Sequence, residues 1–253
     1  MLAHTEFGSA EAPRLLIVHG LFGSGRNWGV IAKRLSDSYR VVTCDLRNHG
    51  SSPRTETHAY ADLAADLAEL IEHLGAPMHV CGHSMGGKAA MMLALERPDL
   101  LDRLIVADIA PVAYGHSQMQ FIDAMRGVDL ETVSRRSDAE AQLGALGVEP
   151  ALQSFFTQSL DVAGKRWRLN LDTLAAEMDK ILSFPEVDKR FDGPALFLSG
   201  AGSDYVRTEH REPIKALFPE ARFAKIPQAG HWLHADKPRE FEAALRAFLS
   251  MDL

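Results

Sequence analysis

Ser84 sits in the run Gly82-His83-Ser84-Met85-Gly86-Gly87. A short apolar segment, Met78-His79-Val80-Cys81, precedes it. A strong helix former over 88–96 follows and is stopped by Pro98. Strand, Gly-x-Ser-x-Gly, helix is the context of a nucleophile elbow. The turn is so tight that the positions two before and two after the serine must be small, and glycines occupy 82 and 86. The bland alternative is a glycine-rich helix cap with an idle serine. The matching flanks on both sides weigh against it.

A serine hydroxyl is a weak nucleophile and needs an adjacent base. Of 11 histidines, His231 stands out in Ala229-Gly230-His231-Trp232, a glycine-flanked loop between the last strand candidate and the closing helix. Such a loop reaches the C-terminal edge of a parallel sheet, where Ser84 would also lie. His234 lacks the preceding glycine and reads as structural. The side chain of His83 should point away from that of Ser84, and His19 reads as a support for its own loop. The base in turn needs an acid to fix its tautomer. Two aspartates fit the order nucleophile, acid, histidine: Asp108, ending the strand candidate Leu104-Ile105-Val106-Ala107, and Asp204, in the loop Gly200-Ala201-Gly202-Ser203-Asp204. Spacing alone puts Asp108 slightly ahead. Acyl transfer also needs donors where an oxyanion develops. The backbone N–H of Met85, just after the serine, is one candidate. Leu21 and Phe22, in His19-Gly20-Leu21-Phe22-Gly23-Ser24, supply another.

These loops require a framework. Strand candidates at Leu15-Leu16-Ile17-Val18, Tyr39-Arg40-Val41-Val42-Thr43-Cys44, Met78–Cys81 and Leu104–Ala107 alternate with amphipathic helical segments. This predicts an α/β fold with a mostly parallel sheet covered on both faces. Over 114–184 no strand is evident and helical faces are. We expect a single domain, 1–253, with a helical cap inserted over 114–184 after the sixth strand. Phe121, Met125, Phe155, Phe156 and Trp167 are expected mainly as cap core, some of them lining a pocket. The sheet pattern resumes at Ala195-Leu196-Phe197-Leu198 and Ala221–Ile226.

The chain has 253 residues, 46% hydrophobic and 24% charged, with a net charge of −7. That composition excludes disorder and coiled coil, and the acidic balance disfavours a nucleic-acid partner. Two cysteines make no disulfide framework, and no Cys/His spacing fits a metal. No apolar run is long enough for a bilayer, and Met1–Glu6 lacks a signal-peptide pattern. A cytoplasmic location is the resulting expectation. The cluster Lys165-Arg166-Trp167-Arg168 offers an anion-binding surface or, more simply, a solvated cap face.

Together with Asp45-Leu46-Arg47-Asn48-His49-Gly50-Ser51-Ser52, Asp108-Ile109-Ala110-Pro111-Val112 and Gly230-His231-Trp232-Leu233-His234, these motifs resemble the α/β-hydrolase superfamily, and within it the small bacterial esterases of the YbfF type. The resemblance implies Ser84 as nucleophile, His231 as base and Asp108 as acid. It implies carboxylic esters, or thioesters of acyl carriers such as coenzyme A, as small-molecule substrates, with no cofactor and no metal. Asp204 departs from the subgroup, which leaves a shared acid role open. The 45–52 loop reads as structural. Two other functions remain compatible: carbon–carbon bond hydrolysis, which uses the same residue types, and a non-catalytic small-molecule receptor.

Overall fold

The computed structural model describes residues 1–252. Its sheet begins with β1 (His4–Phe7), β2 (Arg14–Val18), β3 (Arg40–Cys44), β4 (Met78–His83) and β5 (Leu101–Ala107). Between them lie α1 (Gly29–Leu35), α2 (Tyr60–Leu74) and α3 (Met85–Glu96). The excursion over 114–184 contains α4 (Met119–Arg126), α5 (Arg136–Ala145) and α6 (Pro150–Thr157). A ribbon of β6 (Leu160–Asp161) and β7 (Arg166–Trp167) follows, then α7 (Leu171–Ala176) and α8 (Met178–Leu182). The chain returns through β8 (Ala195–Gly200), α9 (Arg211–Leu217), β9 (Ala221–Ile226), α10 (Leu233–Asp236) and α11 (Pro238–Leu249).

Seven strands form one sheet in the order β1-β3-β2-β4-β5-β8-β9. Only β1 is antiparallel. Each central strand divides its side chains between two faces, as the period of two requires. Leu16, Val18, Leu104, Val106 and Phe197 belong to one buried cluster that includes side chains of α2 and α3. Leu15, Ile17, Ile105, Leu196 and Leu198 pack with α1 and α11. Burial on both faces is why these strands read as unbroken apolar runs rather than alternating ones.

Two expectations need correction. The excursion follows the fifth strand in chain order, not the sixth, because a single strand precedes β2. That strand, His-Thr-Glu-Phe, carries little apolar signal: it lies at the sheet edge and its middle residues are exposed. The second correction is the ribbon inside a stretch read as helical; strands of two residues are too short to show an alternation.

The register aligns the C-terminal ends of the inner strands. Val18 pairs with Gly82, His83 with Ala107, and Ala107 with Leu198. The loops that start at residues 19, 84, 108 and 201 therefore leave from one edge of the sheet.

Candidate active site

Ser84 occupies the turn between β4 and α3 with φ 52° and ψ −124°, a backbone conformation that L-residues rarely adopt. The surroundings impose it. A Cβ on Gly82 would stand 2.2 Å from the Gly86 carbonyl oxygen, and one on Gly86 would stand 2.3 Å from the His19 carbonyl oxygen. No side chain fits either gap, so both small positions are steric necessities. Ser84 N–H donates to Ala107 O at 3.0 Å, which ties the turn to β5.

His231 Nε2 lies 3.1 Å from Ser84 Oγ, and its Nδ1 lies 2.8 Å from Asp108 Oδ2. A carboxylate only accepts, so Nδ1 carries the proton and Nε2 presents its lone pair to the serine hydroxyl. Asp108 is fully buried, also at a positive φ of 52°. Its charge is compensated by three donors: His231 Nδ1–H, Gly200 N–H at 3.0 Å, and the Ser203 hydroxyl. Asp204 is exposed and, among the described residues, its carboxylate makes no hydrogen bond to His231. The structure thus brings Ser84, His231 and Asp108 together and leaves Asp204 outside.

The loop after β2 packs directly on the serine: a Cβ on Gly20 would be 3.1 Å from Ser84 Cβ. Two buried histidines shape this loop. His19 Nε2 accepts from Leu46 N–H at 3.0 Å, so its Nδ1 carries the proton and donates to Gly20 O at 2.7 Å. The Gly20 carbonyl and Leu21 N–H share one trans peptide and point in opposite directions. Drawing the carbonyl back to His19 therefore turns the Leu21 N–H away from His19. Phe22 behaves differently. Its N–H donates to His49 Nε2 at 3.2 Å, at a φ of 64°. Leu21 N–H has no acceptor among the described residues, and Met85 N–H heads α3, where no intrahelical partner exists. Of the expected donors, Leu21 and Met85 are free and Phe22 is spent. The 45–52 loop, read as merely structural, thus contributes His49 as a backbone partner of the loop after β2. Burial lowers the imidazole of His19 to about 4 and that of His49 to about 3, so both stay neutral.

His83 donates from Nε2 to the His231 carbonyl at 2.8 Å. His234 stacks on Trp28 at 3.9 Å. Neither anchoring was readable from spacing.

A cavity of about 350 Å³ opens over Ser84 and His231. The segment 114–184 contributes Phe121, Leu152, Phe155, Phe156, Ile181 and Leu182 to its wall; the sheet side contributes Leu21, Phe22, Met85 and Trp232. Met125 and Trp167 are packed inside the helical segment instead, joined by a 2.8 Å bond from Trp167 Nε1 to Met125 O. Lys88 also lines the cavity, yet it is almost wholly buried. Its ammonium donates to Val112 O at 2.9 Å, Leu182 O at 3.0 Å and Ser183 O at 2.6 Å. Burial pushes its amine down to about 7. The cations at 165, 166 and 168 each have acceptors nearby, while Arg166 and Arg168 keep much of their surface exposed. Lys165 binds the carbonyls of Glu131 and Val133, while Arg166 and Arg168 lie 3.2 and 3.9 Å from Asp161.

Comparison with known proteins agrees with this architecture. Residues 13–238 match the α/β-hydrolase fold family. The chain belongs to that family. It is 36% identical to the esterase YbfF of Escherichia coli, over 93% of this chain and 92% of that one. It is 43% identical to the mouse sn-1-specific diacylglycerol lipase ABHD11, over 96% of this chain and 83% of that one. A solved esterase from a marine microorganism superposes with a TM-score of 0.91 at 36% identity, covering 98% of both chains. The chain is accordingly an α/β-hydrolase of the YbfF type and a hydrolytic enzyme, which removes the receptor alternative. No helix among the described residues is long and apolar enough to cross a membrane.

Proposed function

We propose that this enzyme hydrolyses carboxylic esters of small apolar acyl groups by a Ser84–His231–Asp108 triad. The carrying observation is the continuous chain of contacts, 3.1 Å from Ser84 to His231 and 2.8 Å from His231 to a fully buried carboxylate. His231 Nε2 takes the hydroxyl proton as Ser84 Oγ attacks the acyl carbon. The N–H groups of Leu21 and Met85 receive the oxyanion, helped by the positive end of α3. The tetrahedral intermediate collapses to an acyl-enzyme, and His231 protonates the departing alkoxide. Water, deprotonated by the same nitrogen, then attacks the acyl-enzyme and restores Ser84. Asp108 holds the imidazole tautomer and stabilises the imidazolium throughout. The helical segment 114–184 acts as a cap whose aromatic wall receives the acyl chain.

Esters are favoured over carbon–carbon substrates by the esterases among its relatives. Carrier thioesters remain chemically open to the same triad. The test is labelling with a fluorophosphonate probe together with turnover of p-nitrophenyl butyrate. Parental enzyme should label stoichiometrically at Ser84, and Ser84→Ala should lose labelling and about 10⁴-fold or more of kcat. Retained turnover in that variant would remove Ser84 from the mechanism.

A further inference from the structure

A second cavity, of about 130 Å³, opens between the start of α9 and the strands β8 and β9. It shares no lining residue with the cavity over Ser84. Strand register sets its floor: Phe197 lies opposite Phe223, and Ser199 opposite Lys225. Residues two apart on a strand share a face, and partners on adjacent strands stand about 5 Å apart. The Ser199 and Lys225 side chains therefore rise side by side, one step beyond two phenyl rings. Arg211, from α9, lays its guanidinium over the Phe223 ring, with Cζ 5.1 Å from the centroid. Phe223 and Lys225 are about 7 Å apart along the strand, so the guanidinium and the ammonium reach one opening. Arg207 and Thr208 line its remaining side.

These groups lack partners. The chain has 34 acidic side chains against 27 basic ones, yet Arg211 and Lys225 pair with no carboxylate among the described residues. Arg207 is only partly engaged: its Nε donates to Asp204 O at 3.1 Å and its Nη1 lies 3.5 Å from Glu209. Ser199 is 3% exposed, and its hydroxyl makes no hydrogen bond among the described residues. A buried hydroxyl without a partner is uncommon and calls for one.

We infer that this cavity binds a phosphate group, a tetrahedral oxyanion of about two charges. A guanidinium laid on an aromatic ring keeps its N–H fork free and has already given up much of its rotamer freedom. Lys225 adds a point charge beside it, and the hydroxyls of Ser199 and Thr208 add one donor each. Two unpaired cations and one half-paired cation exceed what a single carboxylate would neutralise. The cavity is far smaller than the roughly 300–1,000 Å³ of ordinary small-molecule sites, so it suits one group and not a whole cofactor. Inorganic phosphate and a phosphate monoester both present that group.

Phosphorus NMR titration of the full chain with inorganic phosphate and with methyl phosphate, at low ionic strength, tests this. One equivalent should bind with a Kd of about 1 mM or tighter, and added salt should weaken it severalfold. Lys225→Gln and Arg211→Gln should each weaken binding about fivefold to tenfold, and Ser199→Ala about threefold. Lys215→Gln removes a cation from the same helix but outside the cavity, and should bind as the parent does. Thermal melts establish that each variant is folded. Phosphate bound more tightly than methyl phosphate assigns the site to the free anion. Equal or tighter binding of methyl phosphate assigns it to an ester, and either result supports the site. Absence of saturable binding in the parent overturns it. A loss in Lys215→Gln as large as that in Lys225→Gln also overturns it, because the attraction is then general to the surface. If Arg211→Gln fails to fold, the strand variants Lys225→Gln and Ser199→Ala still decide.

Discussion

Asp108 has no solvent contact, a positive φ and three hydrogen-bond donors on its two oxygens. A buried carboxylate costs several kcal/mol unless so compensated, and here one of the compensating donors is His231 Nδ1–H. Asp204, one residue past Ser203, is exposed and lacks that setting. The two aspartates should therefore respond very differently to the same isosteric change. Asp108→Asn should lower kcat by about 10⁴, since an amide in place of the carboxylate favours the wrong imidazole tautomer. Asp204→Asn should stay within about threefold of the parent, as expected for an exposed polar change away from the reacting atoms. The reverse order, measured on one ester, would reassign the acid.

At the scale of elements, the site depends on how the loop after β2 is held from below. His19, His49 and His58 form a buried file, with ring centroids 5.0 Å apart between the first two and 5.5 Å between the second pair. Burial lowers their imidazoles to about 4, about 3 and about 3, respectively. Above pH 6.5 the folded and unfolded states are both neutral here, and these groups add no pH dependence. Below 6.5 the unfolded chain takes up protons that the folded chain refuses, so stability falls as pH drops toward the folded values. Each histidine contributes about 1.4 kcal/mol per pH unit in that window, or about 2 kcal/mol by pH 5. Urea unfolding at pH 7 and pH 5 should show a loss of that order or more, and His49→Gln should reduce the difference. Equal stability at the two pH values would mean that the file is hydrated or already charged.

Across the whole molecule, the segment 114–184 is bound to the sheet domain at many points. Lys88 ties its two roots together through Val112 on one side and Leu182 and Ser183 on the other. Tyr60 Oη donates to Ile181 O at 2.6 Å, Asn27 to Gln158 at 2.6 Å, and Ser159 to Phe22 O at 3.2 Å. Asn170 bonds to Asn48 at 3.0 Å. A segment so tethered gives the cavity a set shape rather than an adaptable one. Its volume of about 350 Å³ is near the lower end of the range for small-molecule sites. Across p-nitrophenyl acetate, butyrate, octanoate and palmitate, kcat/KM should peak at butyrate or octanoate. Phe155→Ala, which removes part of the aromatic wall, should shift the maximum toward longer chains. A palmitate optimum in the parent would show that the chain leaves the cavity along another route.

The sequence by itself determined the parts that local chemistry dictates. The glycines at 82 and 86 fix the elbow because no other side chain fits so close to a carbonyl. The apolar runs of β2, β4, β5 and β8 fix a sheet buried on both faces. The order of loops fixes that Ser84, Asp108 and His231 can meet at one edge. Tertiary structure alone decided what depends on register and on packing between distant segments. Asp204 is one residue along the chain from Ser203, yet only Ser203 faces the acid, because the turn closed by Gly200 aims that one side chain. Leu21 rather than Phe22 is left free because two histidines from separate loops take up the neighbouring backbone groups. Met125 shares helical spacing with Phe121, and Trp167 lies in β7, but packing within the segment 114–184 turns these two inward while Phe121 and Phe155 face the cavity. The strand β1 stayed hidden for the same reason: at a sheet edge its pairing comes from β3, not from its own side chains.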